Sequence, residues 1–139
     1  MILGVGTDMV DRRRLHTLYT RFGVRLLQRV FTVGEQAYAA RHARAGEDAV
    51  WNRYATTFAA KEACAKALGS GIGRHGIRFV DIEVVRDAQG KPHIHLHGTA
   101  RAYARQWVSA NSTLQWQVSL SDEPPYALAF VIAQSVPAP

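Results

Sequence analysis

The sequence predicts an α+β fold, a single domain in which helices pack on a mainly antiparallel sheet. The 139 residues suffice for one sizeable core, and 47% hydrophobic with 20% charged residues is an ordinary globular composition. Apolar residues recur at helical spacing through most of residues 11–68, whereas residues 77–133 contain several short β-type runs bounded by turn residues. We expect one domain over residues 1–139, with a frayed tail at residues 134–139.

The first two predicted elements are a strand and a long helix. Residues 1–7 form a short apolar run that stops at Asp8, which indicates a buried strand. Residues 11–30 carry apolar side chains at intervals of three and four, which indicates one helix with a core-facing stripe. That stripe consists of Leu15, Leu18, Phe22 and Leu26.

Two further helices are predicted before residue 69. Thr32 and Glu35 form the pattern of a capping box, so a helix should run from there to about residue 43. Gly46 interrupts the helical pattern, and a long third helix should follow over residues 48–68. Acidic residues in its first turn agree with the helix dipole.

The remaining predicted elements are mostly strands. A polar turn ending in Gly90 separates two β-type runs, which predicts a hairpin. A helix and two final strands should follow. In order, these elements are strands at 77–86 and 92–97, a helix at 99–109, and strands at 114–120 and 126–133.

Positive charge is concentrated near the N-terminus. The net charge is +6, and residues 1–46 hold eight arginines against three acidic residues, a balance of +5. Arg14, Arg21 and Arg25 are seven and four residues apart, so on one continuous helix they would form a basic stripe. Such a stripe suits nucleic acid, an anionic membrane surface or an acidic protein, although a codon bias toward arginine would give the same composition.

Disulfide, zinc and membrane signals are weak. Cys64 is the only cysteine, which excludes an intrachain disulfide and a cysteine-based zinc site. The histidines at positions 93, 95 and 97 alternate along one predicted strand, too far apart for one ion to bind all three, so a solvated strand face is favoured over a metal site. The N-terminus lacks the basic start of a signal peptide, and residues 126–133 are too few to cross a bilayer. We expect a cytoplasmic protein that does not bind membranes.

The segment FAAKEACAKALGSGIG, residues 58–73, places charges of both signs on an alanine-rich helix that runs into a glycine turn. Glu62 and Lys66 are four residues apart and share a helix face, with Lys61 beside them. The chain has fourteen arginines but only three lysines, two of them here, and a compact ammonium suits close contact with a phosphate. Taken alone, a Glu-x-x-x-Lys pair is also a common stabilising pair on helix surfaces.

Asp8 and Glu62 are the candidate ligands of a magnesium ion. Two carboxylates together with phosphate oxygens commonly hold Mg²⁺, which keeps several of its waters. The sequence alone does not bring the two residues together. The turn at residues 69–73 could offer N–H groups to a phosphate, although glycine is also the usual end of a helix.

Four blocks of the chain, in this order, resemble the holo-acyl-carrier-protein synthase family, and they extend over nearly its whole length. The blocks are GVGTDMV, FAAKEACAKALGSGIG, DIEVVRDAQGKP and VSLSDEPPYALAFVIA. The resemblance implies the 4'-phosphopantetheinyl transferase fold and transfer of 4'-phosphopantetheine from coenzyme A (CoA) to a serine of an acyl carrier protein. Adenosine 3',5'-bisphosphate is released and Mg²⁺ is required. The resemblance also implies a homotrimer with active sites between subunits.

The resemblance implies roles for individual residues. Asp8 and Glu62 become metal ligands, with Glu62 catalytic, and Lys66 contacts the reacting phosphates. Acyl carrier proteins are small and acidic, so the stripe of Arg14, Arg21 and Arg25 becomes their docking surface. The expected CoA site contains Lys61, Lys66, Gly69, Ser70 and Gly71.

The chain departs from the family pattern at two positions. Asp122 stands where the family usually has histidine, followed by Glu123, so a carboxylate there is expected to act as a base or to bind water. Thr57 stands where the family usually has arginine, and Arg53, one helical turn earlier, could supply the missing guanidinium to CoA.

Three functions are compatible with the sequence. The leading one is a magnesium-dependent phosphopantetheinyl transferase. The second is a carrier-protein or CoA-binding module that kept the fold and lost or weakened its chemistry, for which Asp122 and Thr57 are the arguments. The third, a small nucleic-acid-binding protein, is suggested by the charge but lacks any recognition motif, so no nucleic-acid partner is expected.

Overall fold

A computed structural model describes all 139 residues and confirms the α+β architecture. The larger sheet has three antiparallel strands in the order β1-β5-β4, and a separate antiparallel hairpin pairs β2 with β3. The strands are β1 Ile2–Asp11, β2 Ile82–Arg86, β3 Pro92–Leu96, β4 Ser112–Glu123 and β5 Tyr126–Pro137.

Five α-helices accompany the sheets. They are α1 Arg12–Phe22, α2 Val24–Val30, α3 Val33–Ala40, α4 Glu47–Leu68 and α5 Gly98–Arg105. The predicted capping box opens α3: Thr32 accepts from the Glu35 N–H, and Glu35 accepts from the Thr32 N–H. None of the helices has both the length and the apolar character needed to cross a membrane.

Helix α4 packs directly on β1 and β5 because both strands carry small side chains on that face. A Cβ added to Gly6 would lie 1.8 Å from the carbonyl oxygen of Ala63, and one added to Gly4 would lie 1.9 Å from that of Ala67. On β5, the buried residues Ala127, Ala129, Val131 and Ala133 alternate toward the same helix. The long central helix therefore approaches the strand backbone itself.

The predicted helix over residues 11–30 is wrong as a single element. Gly23 adopts φ 63° and ψ −145°, outside the helical region, and its N–H donates to Tyr19 O and ends α1. The predicted core stripe is also only partly buried. Leu15 is 3% exposed, whereas Leu18 and Phe22 are 39% and 49% exposed.

Two end regions also differ from the predictions. The tail is not frayed, because β5 pairs with β4 as far as Pro137, and the Ser135 N–H donates to Met1 O. The first strand continues to Asp11 because β5 offers it a partner along this whole length. The predicted strand at residues 77–86 is extended only in its second half, because a 3₁₀ turn, Phe79–Asp81, precedes β2.

Candidate active site

Asp8, Glu62 and Lys66 come together where β1 crosses α4. Even-numbered residues of β1 face α4, and Asp8 follows the two glycines that allow the close approach. Lys66 Nζ lies 3.2 Å from Asp8 Oδ1 and donates to Thr7 O at 2.9 Å. The lysine four residues after Glu62 thus forms its ion pair with the strand and not with its helix neighbour.

Asp8 and Glu62 line one cavity of about 300 Å³. Arg14 from α1 enters the same cavity, so two carboxylates and a guanidinium share it. The remaining lining is apolar and comes from Met9, Val10, Leu15, Leu18 and Phe58. Phe58 is four residues before Glu62 on α4 and so shares its helix face. Arg14 and Leu18 could not be assigned to this cavity from spacing alone, because only the packing of α1 against α4 brings them to it.

The electrostatics of the cavity favour an added cation. Burial raises the pKa of the Glu62 carboxyl, and the negative charge of Asp8 raises it further, while Lys66 opposes the shift. No hydrogen bond from the protein contributes to stabilising the charged form of Glu62. Asp8 has an ion pair with Lys66, whereas no ion pair compensates the Glu62 carboxylate. Carboxylate oxygens are ligands that Mg²⁺ prefers. The residues present therefore fit a magnesium ion.

Lys61 is not in this cavity, and the expectation that it contacts CoA is wrong for this fold. Its side chain is 0% exposed and forms an ion pair with Glu35 of α3 at 2.5 Å. Its ammonium also donates to Val30 O at 2.7 Å and to Phe79 O at 3.1 Å. Burial raises the pKa of Glu35 and lowers that of Lys61, while their pairing opposes both shifts. Lys61 therefore joins α4 to three other parts of the core.

The glycine turn ends α4, and the N–H groups of its first three residues donate within the helix end. Gly69 has φ 70° and its N–H donates to Lys66 O. The N–H groups of Ser70 and Gly71 both donate to Ala65 O, and the Ser70 side chain is buried against Gly71 O. The expected phosphate contact through the N–H groups of Gly69, Ser70 and Gly71 is therefore wrong, because the helix end uses all three.

Arg53 lies on the opposite side of α4 from Glu62. The two are nine residues apart, which is about half a turn beyond two full turns of a helix. Residues at spacing four from Arg53 are buried: Thr57 is 4% and Lys61 is 0% exposed. The Arg53 Nε is buried without a hydrogen-bond partner. Within one chain, Arg53 therefore does not join the cavity that contains Asp8.

Asp122 is also remote from the cavity within one chain. It lies near the tip of the β4–β5 hairpin and is exposed, as is Glu123. In the sheet, Asp8 of β1 and Leu120 of β4 pair with the same residue of β5. Asp122 is therefore two strands away from Asp8 and two residues further along β4. These spacings put its Cα on the order of 12 Å from that of Asp8.

The arginine stripe lies on two helices and includes apolar side chains. Arg14 and Arg21 belong to α1, and Arg25 belongs to α2 beyond the break at Gly23. All three are exposed. Leu18 and Phe22 lie exposed among them, and the Arg21 guanidinium is 5.0 Å from the centre of the Phe22 ring. We call these five residues the basic docking surface, which adjoins the cavity through Arg14.

His93 and His95 of β3 and His97, which follows the strand, are not grouped around one point. His93 contacts Asp87 at 2.9 Å and His97 contacts Glu83 at 3.0 Å, each as a separate pair. No group of three or more His, Cys, Asp and Glu side chains is arranged to hold an ion. His95 and His97 are exposed, and His93 is partly buried.

Comparison with known protein sequences matches one superfamily over nearly the whole chain. A sequence model of the 4'-phosphopantetheinyl transferase superfamily matches residues 4–131. A holo-[acyl-carrier-protein] synthase of Methylorubrum populi is 46% identical over 137 residues, covering 99% of this chain and 96% of its own length.

Solved structures are similar over nearly the whole chain. The crystal structure of holo-[acyl-carrier-protein] synthase from Neisseria meningitidis has a TM-score of 0.75 and 34% identity, covering 96% of this chain and 99% of its own. The Helicobacter pylori enzyme, solved in complex with coenzyme A, has a TM-score of 0.71 and 26% identity, covering 94% and 99%.

Proposed function

The chain belongs to the 4'-phosphopantetheinyl transferase superfamily, and from this membership we infer its reaction. It is an enzyme of the holo-acyl-carrier-protein synthase type. The oxygen of a carrier serine attacks the phosphorus that bears the pantetheine arm of CoA. The bond to the second phosphate breaks, and adenosine 3',5'-bisphosphate leaves with the displaced phosphate oxygen.

The observation that supports this reaction is the meeting of Asp8, Glu62 and Lys66 beside one cavity. We propose that Asp8 and Glu62 hold Mg²⁺, which when bound would neutralise charge on the phosphates. Lys66, with a half-exposed side chain, can reach a phosphate oxygen near the same point. Glu62, which lacks a hydrogen-bond donor, is the side chain that we assign to the carrier serine and its proton.

The partner that brings the serine is an acyl carrier protein, and we propose that it is acidic. The basic docking surface offers three guanidinium groups around two exposed apolar side chains, Leu18 and Phe22. Mixed apolar and basic surfaces suit an acidic amphipathic helix, since charge steers the encounter and apolar contact holds it. Arg14 belongs both to this surface and to the cavity, so a carrier bound here would present its serine close to Glu62.

We further propose a homotrimer whose active sites lie between subunits. Met9 and Leu128 face each other on the outer side of the sheet, and Val5, Tyr126 and Phe130 extend the same exposed apolar face. Isolated proteins seldom expose so continuous an apolar surface. Met9 also lines the cavity, so the proposed interface borders the active site.

A site between subunits would give Arg53 and Asp122 a role. Within one chain both lie away from Asp8, Glu62 and Lys66, so they would have to act in a neighbour's site. There we assign Arg53 to the phosphates of CoA and Asp122 to a base or to a bound water.

A cytoplasmic location would agree with the free thiol of Cys64, whose pKa is raised by complete burial.

One experiment tests the reaction directly. The protein is incubated with CoA, Mg²⁺ and an apo acyl carrier protein, and the carrier is weighed by mass spectrometry. The expected product has gained one phosphopantetheine group, and a Ser→Ala carrier should gain none. An unchanged carrier that still binds the protein would instead favour a binding module with lost chemistry.

A further inference from the structure

Lys66 holds an unusual position for a residue expected to contact substrate phosphates. Its ammonium is bound between two oxygens of β1, Asp8 Oδ1 at 3.2 Å and Thr7 O at 2.9 Å. One of these oxygens belongs to a proposed metal ligand. The ammonium thus already provides positive charge at the carboxylate that a divalent cation would use.

We propose that Lys66 acts as an internal competitor of the metal ion. Before the ion binds, the ammonium compensates the charge of Asp8, and binding of the ion at Asp8 and Glu62 releases it toward the phosphates of CoA. This inference rests on the proposed function, because it takes from there the metal ligands and the phosphate substrate.

Charge balance makes displacement the expected response. Asp8 is only 17% exposed, so its carboxylate relies on a nearby cation, whereas the Lys66 side chain is 54% exposed and has room to move. A divalent cation and an ammonium repel each other when they share one carboxylate oxygen. The flexible stem of lysine allows the ammonium to leave at small cost, which would not hold for the buried Lys61.

Release of Lys66 couples the two ligands. The displaced ammonium loses both of its oxygen partners, and the oxygens of a phosphate can replace them. Metal binding should therefore strengthen CoA binding, and by reciprocity CoA should strengthen metal binding. In the absence of CoA, the competition should weaken the binding of the metal.

The test measures metal binding without any carrier or turnover. Mn²⁺ serves as the probe, and its free concentration is read from its electron paramagnetic resonance signal in titrations of the intact protein. The variant is Lys66→Met, whose removed ammonium is exposed. The matched control is Lys91→Met, because Lys91 is the third lysine of the chain and is exposed on the hairpin. Asp8→Asn, which removes a ligand, should bind Mn²⁺ much more weakly than any of these.

We expect Lys66→Met to bind Mn²⁺ roughly two- to fivefold more tightly than the wild type, which is the range that the loss of a partly exposed ion pair supplies. Lys91→Met should match the wild type. Added CoA should tighten Mn²⁺ binding by a larger factor in the wild type than in Lys66→Met. Equal or weaker Mn²⁺ binding by Lys66→Met, or an equal effect of CoA on both proteins, would overturn the proposal. These results leave the transfer assay untouched, so failure of the competition is distinguishable from failure of the proposed reaction.

Discussion

At the scale of single residues, three charged side chains within six positions of α4 have three different environments. Lys61 is completely buried in an ion pair, Glu62 faces a cavity without a hydrogen-bond donor, and Lys66 is half exposed and paired with Asp8. Their spacing predicts which of them share a helix face. It does not predict which face is buried, because that depends on where α2, α3 and the 3₁₀ turn pack.

Loss of Lys61 should destabilise the fold. Lys61→Met would leave the Glu35 carboxylate buried without its charged partner, which typically costs about 3–5 kcal/mol. Urea denaturation gives the free energy of unfolding, and Lys91→Met, a change at an exposed lysine, should stay within about 0.5 kcal/mol of the wild type. A Lys61→Met protein as stable as Lys91→Met would show that the buried pair is not a structural element of the core.

At the scale of elements, the contact between β1 and α4 positions the site. Gly4 and Gly6 allow the helix to touch the strand backbone, and Asp8 follows them on the same strand face. Both glycines can be read from the sequence, but the sequence does not show why glycine is needed there. The need becomes clear only in the structure, where the helix backbone lies against both residues. The distance between Asp8 and the face of Glu62 and Lys66 therefore depends on the absence of two side chains.

Gly6→Ala should disturb both stability and catalysis. The added methyl group would lie 1.8 Å from Ala63 O, a backbone atom that cannot move alone, so strand and helix must separate. Overpacking of this kind costs roughly 1–3 kcal/mol or more, and the separation would shift Asp8 away from Glu62. Thermal melting and transfer rates measure the two effects. Gly34→Ala is the control, since its methyl group would meet side-chain oxygens and no backbone atom, Glu83 Oε2 at 3.2 Å and Thr32 Oγ1 at 3.9 Å. Equal melting temperatures and rates for the two variants would contradict the argument.

The basic docking surface belongs to α1 and α2 together. Charge reversal at Arg21 or Arg25, the two arginines of this surface that do not line the cavity, should raise KM for the carrier by roughly two- to tenfold and flatten its salt dependence, because such charges act mainly on encounter. KM for CoA should hardly move. Arg105→Glu, a reversal on the exposed side of α5, is the matched control. Steady-state kinetics with each substrate varied in turn would detect an effect mainly on CoA, which would assign these arginines to the other substrate.

The sequence predicts most elements but not all of their limits. The capping box at Thr32 marks the start of α3, and the glycine at position 69 marks the end of α4. Both could be predicted because the local chemistry of a helix terminus depends on few residues. Gly23 was missed as a break, since the apolar spacing continues across it. The extents of β1 and β5 could not be predicted, because strand length depends on a partner that is distant in sequence.

For the site, too, some features could be predicted from the sequence and others depend on the tertiary fold. Asp8, Glu62 and Lys66 were identified from residue type and spacing, and the fold brings them together. The predicted roles of Lys61 and of the Gly69–Gly71 N–H groups failed, because the core and the helix end use these groups.

At the scale of the whole molecule, the exposed apolar face of the larger sheet is expected to close a trimer. Phe130→Asp would bury charge in that interface, so it should convert a trimer to monomers at micromolar concentration. Light scattering after size exclusion measures the mass. Val33→Asp is the control, because Val33 is an exposed apolar residue at the start of α3, away from the sheet. A wild-type protein that is monomeric, or a trimer unaffected by Phe130→Asp, would contradict this assembly.

The central claim is that Asp8 and Glu62 form the catalytic metal site of a phosphopantetheinyl transferase. The most direct test is the rate at which Asp8→Ala and Glu62→Ala modify an apo carrier in the presence of CoA and Mg²⁺, measured by mass spectrometry. Each variant should keep its cooperative thermal transition, since neither side chain is part of the buried core. Each should lower the transfer rate by about a hundredfold or more, because it removes a ligand of the metal ion that neutralises charge on the phosphates. Transfer by either variant at near wild-type rate would contradict the claim.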